Sequence, residues 1–215
     1  MRRNYLILLA LILISATCAR IEPLELIHAN DLDNWEIFLP DSIESSDVFR
    51  VTDNILYIGG IPNGYIRTKE SYSSYRLHVE WRWLKEPKNS GVLLHVTGDN
   101  KLWPNSIEAQ LKSGQAGDLV LIGEGQSITV QDTTWITEPE GKRIIVIPKE
   151  NASSESTAGE WNSYDITVKT DYIDLVVNGI HQNKGLSPTK TSGNIAIQSE
   201  GGPMEFRNIK LTPLD

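Results

Sequence analysis

Ser106-Ile107-Glu108-Ala109-Gln110-Leu111-Lys112 alternates polar and apolar side chains without a break. On a strand, successive side chains point to opposite faces. Ile107, Ala109 and Leu111 therefore face a core, while Ser106, Glu108, Gln110 and Lys112 line the other side. Tyr75 to Leu84 repeats the pattern, with Tyr75, Leu77, Val79, Trp81 and Trp83 opposed to Arg76, His78, Glu80 and Arg82. Shorter runs of the same kind recur between Gly, Pro, Asn and Asp clusters. Among them are Asn54–Ile58, Tyr65–Thr68, Gly91–Val96, Leu119–Ile122, Arg143–Ile147, Tyr164–Lys169, Tyr172–Val177, Asn194–Gln198 and Phe206–Leu211. No segment after residue 20 sustains a helical period. Strands with one apolar face need a second sheet to bury it. The pattern predicts an all-β protein, a two-sheet antiparallel jelly-roll sandwich.

The ends and the composition bound the rest. Arg2 and Arg3 precede an apolar run from Tyr5 to Ser15, and the small residues Ser15-Ala16-Thr17 lead to Cys18, the only cysteine. That layout predicts a signal peptide over residues 1–18, ending at a lipoprotein-type cysteine, and one sandwich domain over residues 19–215. The expected location is exported, periplasm or outer membrane, with membrane attachment only through a lipid on Cys18. Loss of Arg2 and Arg3 on cleavage would take the formal charge from −8 to −10. Such an acidic chain argues against nucleic-acid partners, which need a basic face. Pro148 to Gly159, rich in Ser, Ala and Glu, reads as the least structured segment, a long loop inside the domain.

Several motifs then occur in order. They are Asn89-Ser90-Gly91-Val92, Ile107-Glu108-Ala109-Gln110, Gly159-Glu160-Trp161-Asn162-Ser163-Tyr164, Val177-Asn178-Gly179, the run from Gly193 to Gly201, and Phe206-Arg207-Asn208-Ile209. Together, from about Trp35 to Leu211, they resemble the 3-keto-disaccharide hydrolase domain family, which includes 3-keto-glucoside 1,2-lyases and 3-keto-2-hydroxy-glucal hydratases. The resemblance implies a concanavalin-like lectin/glucanase fold and a carbohydrate substrate, a keto-sugar or oligosaccharide. It agrees with the strand pattern read from the residues alone.

In such a sandwich the ligand sits on the outward, concave face of one sheet, and Glu108 is the carboxylate best placed there. A 3-keto group acidifies the hydrogen on C2, which Glu108 would remove as general base. His95, read as facing away from the core, is expected beside Glu108, as a proton shuttle or a metal ligand. Lys112 is the expected partner for enolate charge. Gln110, Asp118, Gln198 and Glu200 are expected to bind the sugar, and Trp103 to stack on it, with Trp135 a weaker candidate. The stripe Arg76, His78, Glu80, Arg82 reads as a solvated structural face.

No sequence pattern marks a metal site, and no cofactor is implied, although a divalent cation held by loop oxygens is compatible with lectin-like sandwiches. Two rival functions stand beside the first. An ordinary glycosidase would need a second carboxylate facing Glu108, with Glu200 the candidate. A non-catalytic glycan-binding module would carry exposed rings without a perturbed carboxylate.

Overall fold

The computed structural model describes residues 22–28, 30–40, 43–138, 140–141 and 143–214. The expected signal peptide and Cys18 lie outside the described residues. These contain seventeen strands and one short helix, α1 (Ser45–Val48). The strands are β1 (Leu24–Glu25), β2 (Trp35–Phe38), β3 (Phe49–Thr52), β4 (Ile55–Ile58), β5 (Gly64–Thr68), β6 (Tyr75–Trp83), β7 (Gly91–Thr97), β8 (Asn105–Gln110) and β9 (Leu119–Ile122). They continue as β10 (Ser127–Val130), β11 (Thr133–Ile136), β12 (Ile144–Ile147), β13 (Asn162–Val168), β14 (Tyr172–Val177), β15 (Ile180–Leu186), β16 (Asn194–Ser199) and β17 (Met204–Pro213).

Two antiparallel sheets form. One runs β11-β10-β15-β14-β13-β6-β17-β4-β3, with β1 added on β17; the other runs β12-β9-β8-β7-β16-β5-β2. The chain is thus the all-β, two-sheet sandwich that the alternation predicts. Its main core lies between the sheets. Tyr75, Leu77, Val79, Trp81 and Trp83 of β6 meet Val92 and Leu94 of β7, and Ile107 and Ala109 of β8, all buried. Burying these faces is the dominant favourable contribution to folding, roughly 25 cal/mol for each Å² of apolar surface removed from water. Among the described residues no helix is long and apolar enough to cross a membrane.

Two departures from simple alternation shape the site. β8 ends at Gln110 rather than running to Lys112. The Gln110 side-chain oxygen accepts from the backbone N–H groups of Leu111 and Lys112, at 3.0 and 2.9 Å, and this local bond diverts the chain into a turn. Leu111 still reaches the core.

The second departure is a bulge in β7, where register shifts between Leu94 and Thr97 and His95 takes φ 52. An inserted residue reverses the parity of the rest of its strand. Val96 accordingly joins Leu93 in a second apolar cluster, with Tyr65, Val120, Ile122 and Ala196, on the outward side of the seven-stranded sheet.

The segment Pro148–Gly159 is not loose, contrary to its composition. Although it contains no strand, its polar side chains are spent on neighbouring backbone. Asn151 donates to the His181 carbonyl and Ser154 to that of Val177, while the Ser156 N–H donates to Asn162. Glu155 accepts from the N–H groups of Gly114 and Ala116, at 3.2 and 3.0 Å, and so fastens this segment to the loop after Lys112.

Candidate active site

β8 lies inside the seven-stranded sheet, between β7 and β9, so Glu108 has a strand on each side. Register sets its neighbours: Leu93 is opposite on β7 and Val120 on β9. The same row continues to Ala196 beyond Leu93 and to Val146 beyond Val120. A carboxyl flanked by aliphatic chains loses water without gaining a counter-charge. Glu108 is only 4% exposed, and its Oε1 has no hydrogen-bond partner. Burial, with a smaller contribution from the charge of Glu200, pushes its pKa up to about 8. Of the three causes that move a carboxyl pKa, desolvation dominates here.

Space for this carboxyl comes from a missing side chain. A Cβ on Gly91 would lie 2.0 Å from Glu108 Oε1 and 2.6 Å from Gln198 Oε1. Both oxygens therefore point into the volume over the Gly91 backbone. Gln198, on β16, is 3% exposed, and its Oε1 is likewise without a partner. The Ser90 hydroxyl donates to the Gln198 carbonyl at 2.9 Å, tying β7 to β16 at this point.

Just past these strands, an open cavity of about 590 Å³ is lined by Asn63, Pro87, Lys88, Asn89, Lys112, Ser113, Glu200 and Gly201. Asn89 and Glu200 join it to the buried pair, because Asn89 precedes Gly91 by two residues and Glu200 follows Gln198 by two. Burial raises the Glu200 pKa, and a hydrogen bond from Asn89 and the charge of Lys112 pull it partly back. With its amide group donating to Glu200, Asn89 is left with a buried Oδ1 that has no partner.

The structure thus brings Glu108, Gln198, Glu200 and Lys112 together. Lys112 is exposed on the rim, and its charge acts on Glu200 and Asp118. Other expected site residues lie elsewhere. His95 does not flank Glu108: the bulge turns it the other way. Its Nδ1 donates to the Lys190 carbonyl at 2.8 Å, its ring meets Tyr75 edge-on at 6.2 Å, and burial lowers its pKa.

Asp118 is turned to Lys149, accepting the Lys149 N–H at 2.9 Å with the ammonium 3.8 Å away, so its carboxyl is occupied by an almost fully buried ion pair. Gln110 shares the face of Glu108, but its oxygen is held by the backbone of Leu111 and Lys112. Trp103 packs on the outward apolar cluster and lines a separate cleft of about 360 Å³ with Leu102, Ile122, Gly123 and Ile144. Trp135 stands on β11, at the edge of the other sheet.

Sequence reasoning missed Asn89 and Gly91 as site residues. The signal was present in Asn89-Ser90-Gly91-Val92, where a glycine occupies an outward position one strand from Glu108. Among the described residues, no group of three or more His, Cys, Asp or Glu side chains is arranged to hold a metal ion.

A two-sheet sandwich with an open cavity bordered by Asn, Lys and Glu side chains, and a buried carboxyl on the outward side of one sheet, is an architecture of carbohydrate-active proteins. Solved structures agree on the fold. A putative glycosyl hydrolase from Parabacteroides distasonis superposes with a TM-score of 0.63 at 19% identity, covering 90% of this chain and 100% of that one. A β-glucanase from Bacillus licheniformis gives 0.57 at 10% identity, covering 89% and 97%. A carbohydrate-binding module from Bacillus subtilis gives 0.58 at 8% identity, covering 83% and 95%. No curated protein matches the sequence significantly. The family model for the 3-keto-alpha-glucoside-1,2-lyase-like domain matches residues 23–212. The chain belongs to that family.

Proposed function

We propose that the protein cleaves the glycosidic bond of 3-keto-glycosides by elimination followed by hydration, giving net hydrolysis, with Glu108 as the acid/base residue. The observation that carries this reading is the Glu108 carboxyl itself, buried between Leu93 and Val120 with its pKa pushed up to about 8 and one oxygen unpartnered. A base poised near neutral pH suits abstraction of a proton that a carbonyl has already acidified.

In the first step the Glu108 carboxylate takes the proton from C2, and the C2–H electron pair moves into the enolate. Lys112, on the rim of the cavity, is the cation available to the enolate oxygen. The enolate then expels the C1 oxygen, which leaves as the alcohol after protonation, and C1=C2 remains. In the second step water adds its oxygen to C1 and releases a proton to solvent, which balances the proton taken up by the leaving alcohol. Glu108, its own proton meanwhile exchanged with solvent, returns one to C2. No electrons are gained or lost overall. Support for the keto-sugar comes from family membership, and support for the base from the burial of Glu108.

We further propose export, with the chain anchored by a lipid on Cys18, on the strength of Arg2-Arg3, the apolar run and the small residues before the cysteine. Cys18→Ala should release the protein from the membrane fraction of cells in which wild type is retained.

The reaction is tested by incubating wild type and Glu108→Gln with 3-keto-trehalose and a 3-keto-glucoside in D2O. The expected result is free sugar carrying deuterium at C2 from wild type, and at least a hundredfold less product from the variant. Equal turnover by both proteins would remove Glu108 from the mechanism. Cleavage of the unoxidised glucoside at a similar rate would instead favour a two-carboxylate glycosidase using Glu108 and Glu200.

A further inference from the structure

When Glu108 is ionised, three buried oxygens are acceptors without a donor: Glu108 Oε1 and Gln198 Oε1 at the Gly91 slot, and Asn89 Oδ1 two residues before that glycine. The Asn89 amide nitrogen is spent on Glu200. Glu108 and Gln198 oxygens crowd the same point above Gly91. The two neighbouring serine hydroxyls are committed elsewhere: that of Ser90 to the Gln198 backbone carbonyl, and that of Ser106 to the Pro104 carbonyl. Buried polar atoms are almost always paired in native proteins, so a group of acceptors left together needs a partner that brings donors.

We propose that Asn89 and Gln198 are specificity-determining residues that accept hydrogen bonds from hydroxyl groups of the bound sugar. The ligand class that fits is a neutral pyranoside presenting at least two O–H donors to this slot. A site built to accept from hydroxyls discriminates strongly against a ligand that cannot donate, because its own oxygens are then left unpaired. A carboxylate or sulfate at the same position would face acceptors and the negative charge of Glu200, so uronic and sulfated sugars are excluded. The inference rests on reading this site as a sugar site. It is independent of whether Glu108 performs the elimination.

The test measures binding without turnover. Unoxidised methyl glucoside, which lacks the 3-keto group needed for elimination, is titrated calorimetrically into wild type, alongside each of its monodeoxyfluoro analogues and methyl glucuronide. Fluorine replaces the hydroxyl but cannot donate. At two ring positions the fluoro analogue should bind at least tenfold more weakly, and the glucuronide should give no detectable heat. Gln198→Met, of similar volume and without a strong acceptor, should remove the penalty at one of those positions and leave the other; Asn89→Ala should do the converse.

Fluoro analogues that all bind within twofold of the parent would overturn the proposal. So would wild-type-like penalties in both variants, which would mean that Gln198 and Asn89 are not the acceptors. Tight binding of Ca2+ or Mn2+ alone, abolished in Asn89→Ala, would assign the three oxygens to a cation instead. Retained fluorosugar selectivity in a protein that fails to turn over any 3-keto-glycoside would refute the proposed reaction and leave this inference standing.

Discussion

The two outward faces of the sandwich carry the same kind of alternating polar stripe and use it in opposite ways. On the ten-stranded sheet, register places carboxyl groups face to face with arginine or histidine side chains. Arg82 is opposite Glu205, Arg207 opposite Glu80, and His78 opposite Asp165. Each pair closes, at 2.8, 2.6 and 2.8 Å respectively. Trp161 lies between the guanidinium groups of Arg82 and Arg207, 4.6 and 4.0 Å from its ring centre. A cavity of about 530 Å³ opens near this face, but its Glu25, Arg207 and Asn208 are already paired with Lys210, Glu80 and Glu80.

On the seven-stranded sheet, register places Glu108 between Leu93 and Val120, and its carboxyl has no counter-charge to close on. Cross-strand partners decide which stripe is structure and which is chemistry.

The sharpest way to break this contrast is to remove the unpaired, titratable carboxyl. Glu108→Gln keeps the shape and deletes the proton. Turnover of a 3-keto-glucoside should fall by roughly 10²–10⁴-fold, read as initial rate, while the fold persists. The raised pKa also sets the pH dependence. The folded state binds the Glu108 proton more tightly than the unfolded chain does, so this contribution to stability is complete below the ordinary carboxylate pKa. It is lost as pH rises through about 8. Wild type should lose of order 4 kcal/mol across that window, and the Gln variant should show a much flatter profile in denaturant titrations. As the base, Glu108 acts only when ionised, so kcat/KM should climb to a plateau above pH 8. Activity and stability therefore move in opposite directions with pH.

Gly91→Ala attacks the same region through space rather than charge. Its methyl would lie 2.0 Å from Glu108 Oε1, so the carboxyl or the strand must move. Overpacking of this kind costs roughly 1–3 kcal/mol, and displacement of the base by a fraction of an ångström should lower kcat at least tenfold. An unchanged melting temperature together with unchanged kcat would show that the slot is not where the chemistry occurs. Lys112→Ala is expected to be milder. With the side chain exposed, stability should stay within about 0.5 kcal/mol of wild type. The Glu200 carboxyl loses a cation that lowers its pKa, and kcat should fall by about tenfold through lost enolate stabilisation.

Much of this architecture was legible in the residues. Alternation in Tyr75–Trp83 and Ser106–Leu111 assigned core and outward faces correctly, because period-2 patterning is a local property of the chain. The outward placement of Glu108 and Gln198 comes from it; Lys112 lies past the end of β8, and its exposure comes from the turn there. That of His95 does not, because a bulge one residue long reverses parity, and nothing in Gly91–Val96 announces where the inserted residue falls. Asp118 and Gln110 were legible as polar side chains near the site. Their commitments to Lys149 and to the Leu111–Lys112 backbone depend on how loops fold back. Pro148–Gly159 misled for a related reason: its composition is that of a loose loop, yet its Asn, Ser and Glu side chains bind backbone supplied by distant strands and by the loop after Lys112. Glycine at position 91 carries meaning only once Glu108 and Gln198 are known to flank it.

The opposite face gives the smallest expected effect on activity and so completes the comparison. Burial works against the ionised form of Glu80, but hydrogen bonds from Asn208 and Arg207, with the charge of Arg207, outweigh it and hold the pKa below the usual carboxylate value. The sign is therefore the reverse of that for Glu108. The unfolded chain binds this proton more tightly, so stability from Glu80 is present above the ordinary carboxylate pKa and is lost as pH falls through the depressed one. Glu80→Gln should cost about 1 kcal/mol at neutral pH and less in acid, measured by chemical denaturation at pH 7 and pH 3. It should leave kcat and KM for the keto-sugar unchanged, since its partners Arg207, Asn208 and His78 belong to the other sheet. A drop in kcat comparable to that of Lys112→Ala would mean that the paired face also reports to the site, and the division between a satisfied face and a reactive one would fail.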